Sequence, residues 1–443
     1  MSAPARVLIL GAGFSGFTLA RRLRKDAAAG RIELTVVEPE PYLTYKPLLP
    51  EVAGGETAPE AVLVPLRGML KHARIVAGSV ETVDAEAKVA VVRSLDGTQR
   101  PLSFDHVVFA LGSVSKTLPI PGLAENAVGF STVEEAVFLR DQVLDRVRFA
   151  AETQVEAERR RALTFVVVGG GYTGVEALAE LQQLSARAIA RYPELAGQHA
   201  EWVLVEAAGR IAAELPDELS DWTLTLMRRR GVTVRLHTEL SSCEQGLARL
   251  SDGTQLPTVT IVWAAGVTPN PVVARAGVPR GEKGHIRCDE RLRVVDASGA
   301  PLDGVWALGD DAEVPKPGSH QKPAFYPPTA QNAVRQAKVL ADGLRAAIEG
   351  TEPPPYRHRS LGMMASYGGH AGAADLRGLK LRGAPAWAVD KLYHAAVLPG
   401  VRKRVRLVLG WVANGLAGRE TVSTAAVRHP RRPFAEAAAQ QRE

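Results

Sequence analysis

Short, uninterrupted apolar runs recur along this chain, and several of them end on glycine. Arg6–Leu10, Leu34–Val37, Phe104–Ala110, Phe165–Val168, Trp202–Val205, Thr258–Trp263 and Gly304–Asp310 are of this kind. A run with no polar alternation predicts a strand covered on both faces, as in a parallel sheet. Phe17–Arg24 and Val175–Leu181 follow two of these strands with helix-forming residues. Strands alternating with helices predict an α/β chain. Residues 60–110 read differently, as short strands Ala73–Val76, Ser79–Asp84 and Lys88–Arg93 with a hairpin at Asp96-Gly97. Apolar Val133, Val137, Leu144 and Val147 recur at near-helical spacing and predict one long surface helix from Val133 to about Arg161. Further on, the pattern predicts a helix Pro216–Arg230, a strand Val232–Leu236, and a helix within Tyr326–Ala341 with prolines in its first turn.

The glycines at the strand ends add chemistry. Gly11, Gly13 and Gly16 follow the first strand in G-x-G-x-x-G spacing, and Gly169, Gly171 and Gly174 repeat it. The first glycine permits the tight turn, the second lets backbone approach a pyrophosphate, and the third lets helix and strand pack closely. Phosphates then meet the unpaired N–H groups at the helix N-terminus. Each next strand ends in an acid, Glu38 and Glu206, placed to hold a ribose hydroxyl. Two complete fingerprints imply two Rossmann-like domains and two dinucleotides. The N-terminal copy, with the later Gly309-Asp310, suits a resident FAD, and the internal copy a nicotinamide that exchanges. A carboxylate at Glu206 favours NADH over NADPH, with Arg210 close by as the competing feature.

Composition leaves this picture intact. The 443 residues are 46% hydrophobic and 23% charged, a globular balance with room for two or three domains. No apolar run approaches the roughly 18 residues a spanning helix needs, and the first residues read as a cytoplasmic start. The two cysteines, Cys243 and Cys288, form no C-x-x-C motif, which argues against a redox dithiol; no metal site is expected. Charge is uneven. Residues 377–432 carry twelve Lys/Arg against Asp390 and Glu420, +10, so the remainder is +6 − 10 = −4. Within that basic stretch Trp387–Val412 mixes Trp387, Leu392, Tyr393, Val397, Leu398, Leu407, Leu409 and Trp411 with Lys391 and Arg402–Arg406. Such segments lie in a membrane interface without crossing it.

These motifs, in this order, resemble the type II NADH dehydrogenases, single-subunit NADH:quinone oxidoreductases with two dinucleotide-binding domains. The resemblance rests on GAGFSG at Gly11–Gly16, YLTYKPLLPEVAGG at Tyr42–Gly55, TFVVVGGGYTGVEALAE at Thr164–Glu180, IVWAAGV at Ile261–Val267, VWALGDDA at Val305–Ala312 and PPTAQNAVRQAKVLA at Pro327–Ala341. The chain departs from the family pattern at Leu111, Ala337 and Tyr172, where Thr, Gly and Pro are usual. The resemblance implies a FAD-binding domain in two parts, 1–115 and 286–376, an NADH-binding domain at 116–285, a membrane-association region at 377–432 and a flexible tail at 433–443.

It also implies site residues. FAD is expected on Gly11, Gly13, Phe14, Ser15, Gly16, Glu38, Lys46, Val80, Ala110, Gly112, Asp310, Ala330 and Gln331. NADH is expected on Gly169, Gly171, Tyr172, Thr173, Gly174, Glu176, Glu206, Ala265 and Gly266. Glu176 matches the family's acid near nicotinamide and flavin, and Gln331 its quinone-site glutamine; these are the catalytic candidates. The implied reaction is hydride transfer from NADH to FAD, then two-electron reduction of a membrane quinone without proton pumping. The implied setting is peripheral, on the cytoplasmic face of the membrane, as a homodimer with no nucleic-acid partner. Two other readings stand beside it. One is a soluble reductase serving a ferredoxin or other protein acceptor, and one a flavin-binding redox sensor.

Overall fold

The computed structural model describes residues 3–317, 324–432 and 435 and divides into two compact units. The first comprises 1–44, 63–114 and 267–359. Its eight-stranded sheet has the order Arg293–Val295, Pro301–Ala307, His106–Phe109, Ala5–Leu10, Ile32–Glu38, Arg74–Asp84, Val89–Ser94, Gln99–Ser103. The four central pairings are parallel and the outer strands antiparallel. Ile9, Leu10, Val107, Val108 and Phe109 are fully buried at its centre, as the uninterrupted apolar runs require.

Two predicted strands in this unit are one. Arg74–Asp84 is a single eleven-residue strand. Its first half pairs in parallel with Ile32–Glu38, and from Gly78 it pairs antiparallel with Val89–Ser94. Glycine at 78 does not break the strand but admits its neighbour: a Cβ there would lie against the Arg93 carbonyl.

The second unit comprises 45–62, 115–266 and 360–443. A five-stranded parallel sheet runs Ala127–Gly129, Thr260–Trp263, Thr164–Val168, Glu201–Val205, Thr233–Arg235. Val166, Val203, Ile261 and Trp263 form one buried cluster with Leu240 and Leu250 of an antiparallel three-stranded sheet. A second three-stranded meander, Met363–Arg382, leads to helices Ala384–Val397 and Val401–Ala417.

These divisions differ from the expected ones at three places. Residues 45–62 leave the first unit because the short helix Leu49–Ala53 packs on helices Val133–Glu152 and Tyr172–Ile189. The return to the first unit comes at residue 267, ahead of 286, and residues 360–443 group with the second unit. The tail 433–443 lies outside the described residues apart from Ala435.

Helix ends also move. The long helix expected over 133–161 breaks at Thr153, giving Val133–Glu152 and Glu156–Leu163. Its start is fixed by a capping box: Glu135 N donates to Thr132 Oγ1 while the Glu135 carboxylate accepts from Thr132 N. The later helix begins at Ala330, with Thr329 as its cap, so Pro327 and Pro328 precede it and do not form its first turn. The basic segment 387–412 is interrupted at Leu398-Pro399-Gly400.

Candidate functional site

The two glycine fingerprints fold alike. Gly11 (φ +95°) and Gly169 (φ +106°) turn the chain out of their strands in a backbone conformation that side chains resist. A Cβ at either would strike a carbonyl, of Ala110 or of Ala264. Gly16 and Gly174 close the turns, each packed on the carbonyl of the first glycine. The helices Phe14–Ala28 and Tyr172–Ile189 start at Gly13 and Gly171 with no side-chain cap and no acid in the first turn. Their first-turn N–H groups keep the positive end of the helix dipole uncompensated by side chains.

The strand-tip acids do the same job in both units. Glu38 accepts from Ala12 N at 2.6 Å and Glu206 from Gly170 N and from Ala208 N at 2.7 Å. Each carboxylate is therefore braced by its own glycine loop. Burial pushes the Glu38 carboxyl up, against the pull of the Ala12 and Glu40 amides. Arg210, the feature that competes with Glu206 for cofactor choice, is committed elsewhere. It pairs with Asp217 and donates to Ser220 Oγ at 3.3 Å and Leu215 O at 3.0 Å.

In the first unit the sequence Gly309-Asp310-Asp311 meets the turn at Gly112. Asp310 accepts from Ser113 Oγ at 2.7 Å and Asp311 from Gly112 N at 3.0 Å. Gly112 has φ +72° and open space where a Cβ would sit. Asp311 is fully buried, and burial pushes its carboxyl up to about 8 against the Gly112 and Leu111 amides. Gly309 N donates to Gln336 Oε1 at 2.7 Å, so Gln336 is a buried bracket and not a solvated helix polar. Gln331, one turn earlier, has its carbonyl oxygen 3.0 Å from His358 Nε2.

The remaining candidates fall into place unevenly. Ser15 and Ala110 are buried, Phe14 is half-buried, and Ala330 is the exposed first residue of its helix. Val80 is buried in its strand. Lys46 is exposed and belongs to the second unit, so it is not grouped with the other FAD candidates. In the second unit Thr173 and Gly266 are exposed, Ala265 is half-buried, and the buried Tyr172 hydroxyl has no hydrogen-bond partner among the described residues. Glu176 stands just past the third glycine and accepts from Ser366 N at 2.8 Å. Burial, and then the charge of Asp390, pushes its carboxyl well above the usual range.

Asp311, Gln336 and Ser113 were not foreseen from sequence. The doubled acid in GDD was the available signal for Asp311; nothing local marked Gln336, whose partner is 27 positions away.

The C-terminal helices correct part of the expected membrane face. Lys391 is buried between Glu51 and Glu56, at 2.6 and 3.0 Å. Trp411 donates to Glu51 at 2.8 Å, Lys403 to Glu60 O and Arg404 to Leu398 O, and Leu398 and Leu407 are buried. Trp387 is half-buried with its ring edge-on to His370. Apart from exposed Arg404, these turn inward. Of the expected apolar set Leu392, Tyr393, Val397 and Leu409 are exposed, and the outer face of the helix Val401–Ala417 is Val401, Val405, Val408, Leu409, Val412 and Leu416. At 100° per residue these six share an arc of about 100°, flanked by exposed Arg402 and Arg406. Among the described residues no helix is long and apolar enough to cross a membrane.

Comparison with known proteins agrees with this geometry. A sequence profile described as "Pyridine nucleotide-disulphide oxidoreductase" matches residues 5–337. A probable NADH dehydrogenase of Dictyostelium discoideum is 25% identical over 426 residues, 94% of this chain and 91% of its own. The type II NADH:quinone oxidoreductase Ndh of Mycobacterium tuberculosis is 25% identical over 428 residues, covering 94% and 89%. The structure of NDH2 from Plasmodium falciparum in complex with NADH shares the fold with a TM-score of 0.85 at 19% identity, covering 94% of this chain and 99% of that one. The chain belongs to the pyridine nucleotide-disulphide oxidoreductase family, and its relatives within that family include type II NADH dehydrogenases.

Proposed function

We propose that this chain is an FAD-dependent NADH:quinone oxidoreductase that does not pump protons, with the balance NADH + H⁺ + quinone → NAD⁺ + quinol. One observation carries the reading. Two complete glycine fingerprints, each with a strand-tip carboxylate braced by its loop, occur in a chain that aligns over nearly its full length with type II NADH:quinone oxidoreductases.

The residues present fit FAD. An uncapped helix N-terminus behind Gly13, an acid at Glu38 and the open turn at Gly112 offer the donors and space that a dinucleotide needs. Gly11–Gly16, Glu38, Gly112 and Asp310 would hold it, and Gly169–Gly174, with Glu206, would hold NADH. FAD held there would supply the two-electron redox chemistry that links NADH to the acceptor. The chain itself orients and excludes. Ser113 and Gly112, tied to Asp310 and Asp311, fix one turn of the flavin site, and Gln336 fixes Gly309. Glu176, pushed toward its protonated form, would keep a proton at a carboxyl held by Ser366 N.

The acceptor fits the surface. The aliphatic arc of the helix Val401–Ala417, rimmed by Arg402 and Arg406, suits shallow burial in an anionic bilayer, where a lipid-soluble quinone resides. The exposed face is apolar at its centre, which favours a membrane over a ferredoxin-like acceptor. The enzyme would then be peripheral on the cytoplasmic face.

Stopped-flow absorbance tests the function. Anaerobic NADH should bleach the flavin, and a short-chain ubiquinone should restore it promptly. Bleaching with no recovery on quinone would refute the acceptor.

A further inference from the structure

The helix Tyr172–Ile189 carries a second acid one turn behind Glu176. Residues four apart on a helix share a face, with Cβ atoms roughly 5–6 Å apart, so Glu180 stands beside Glu176. Glu180 is only 1% exposed. Both of its oxygens face glycine: a Cβ on Gly54 would strike Oε2, and one on Gly368 would strike Oε1. Two glycines thus leave room for a carboxyl in the interior.

Acids outnumber the cations paired with them here. Arg419 Nη1 donates to Glu180 Oε2 at 2.7 Å, and Arg419 Nη2 lies 2.9 Å from Glu56. Lys391 joins Glu56 to Glu51, at 3.0 and 2.6 Å. Three carboxyls therefore share two cations. Two more guanidiniums feel the Glu180 charge but donate to carbonyls, Arg187 to Gly54 O and Arg230 to Tyr367 O and Gly368 O. From the helix Ala384–Val397, Asp390 adds a negative charge that acts on Glu176. An ionised carboxylate in such surroundings is costly, and a proton removes the cost. Burial pushes the Glu180 carboxyl up to about 7, against Arg419 and Lys391, and Glu56 and Glu51 add to the rise.

We propose that Glu180 is a positioning residue that acts through Glu176, holding the proton that reloads Glu176 after each turnover. The inference rests on the reading above in which the proton kept on Glu176 is used in quinone reduction. Each turnover, NADH + H⁺ + quinone → NAD⁺ + quinol, takes up one proton. In the reloading step the O–H bond at Glu180 breaks as one forms on the Glu176 carboxylate, directly or across one water. Arg419 then faces an ionised Glu180, and solvent supplies the proton that restores it. The transfer runs toward the stronger base, because Arg419 stabilises an anion on Glu180 while Asp390 opposes one on Glu176.

The test uses flavin-loaded enzyme and three readouts. These are kcat and KM for a short-chain ubiquinone across pH, ferricyanide turnover, and proton uptake reported by an indicator dye when NADH-reduced enzyme meets that quinone. Glu180→Gln keeps an acceptor for Arg419 but carries no acid. In it, quinone kcat and the rate of proton uptake should fall about 10²-fold, the lower end for a positioned acid. Its KM should hold, and so should ferricyanide turnover, since ferricyanide takes electrons without protons. Wild-type quinone kcat should decline as pH rises through about 7, where the Glu180 carboxyl empties, and Glu180→Gln should lose that limb. Glu180→Asp, which restores an acid, should recover it. Because the two acids act in series, Glu176→Gln with Glu180→Gln should be no slower than Glu176→Gln alone. If Glu176→Gln is slow and Glu180→Gln turns quinone over normally, or if the two losses multiply, the inference is overturned and the reading stands. If Glu176→Gln is near normal, the reading of its proton falls, and the inference with it. Should Glu180→Gln fail to hold flavin, the wild type and Glu180→Asp decide, and a quinone kcat in either that does not decline through that pH range overturns the proposal.

Discussion

Replacing Lys391 by methionine should unlock the C-terminal helices from the rest of the second unit. Lys391 is almost fully buried and lies 2.6 Å from Glu51 and 3.0 Å from Glu56. Burial works to lower its pKa, and the two glutamates outweigh burial and raise it, so it stays charged. Arg419 is the other cation of the network, 2.9 Å from Glu56 and 2.7 Å from Glu180. Three buried carboxylates thus face two cations, with Thr57 and Trp411 also donating to Glu51. Removing one partner of a buried ion pair costs about 3–5 kcal/mol, since the other is left charged in a poor solvent. Against a total stability of about 5–15 kcal/mol that is a large fraction. The loss should be local first, because Lys391, Trp411, Asn414 and Arg419 are the groups that fasten these helices to residues 51–57 and Glu180.

Hydrogen exchange and limited proteolysis of residues 384–420 provide the assay, with chemical denaturation for the total. The cost should be larger at pH 8.5 than at pH 6, because Glu180, with its carboxyl near 7, takes up a proton at the lower pH and relieves the excess. Adding Glu51→Gln and Glu56→Gln to Lys391→Met should restore much of the protection. A cost under about 1 kcal/mol for Lys391→Met, or no rescue by the glutamines, would refute the argument that uncompensated buried charge is what holds this segment.

Other outcomes follow from the same structure. Asp311 has a carboxyl near 8 when folded against an ordinary value of 3.8. The folded state therefore holds the extra proton between about pH 4 and pH 8, and stability falls as pH rises through that window, by at most ~6 kcal/mol. Asp311→Asn should flatten the decline in melting temperature from pH 5 to pH 8, and an unchanged slope would count against it. Leu409→Asp with Leu416→Asp should abolish flotation with anionic vesicles while flavin content and ferricyanide turnover persist; each aliphatic side chain is worth about 1.5–3 kcal/mol when buried. Glu176→Gln should slow the NADH:quinone reaction about 10²-fold if its proton is used in the chemistry, and a near-normal rate would leave it a structural acid.

Much of the fold was legible because its signals are local. The parallel strands announced themselves as unbroken apolar runs, since both their faces are covered. Merged and broken elements were not legible. Arg74–Asp84 continues through Gly78 because two different neighbours take its two halves. The helix after Val133 stops at Thr153, where periodicity alone continued it. Glu38 and Glu206 were marked by their place after a strand, and each accepts from the amide of its own glycine loop. Asp311 and Gln336 were missed because their importance lies in what they touch.

The exposed face of the C-terminal helices shows the limit most clearly. Composition marked 387–412 as basic, aromatic and amphipathic, and the helices it forms are all three. Which side points outward was decided by Glu51, Glu56 and Glu60, more than 300 positions upstream, which draw in Lys391, Trp411 and Lys403.

The sequence by itself determined the two glycine turns and the strand-tip acids. Each is set within a few dozen residues by sterics and backbone hydrogen bonding. Only the tertiary structure decided which carboxyls are neutral and which charges are buried. Glu176 meets Ser366 across 190 positions and Lys391 meets Glu51 across 340. Protonation depends on desolvation and on partners that arrive from elsewhere in the chain, and no local pattern encodes either.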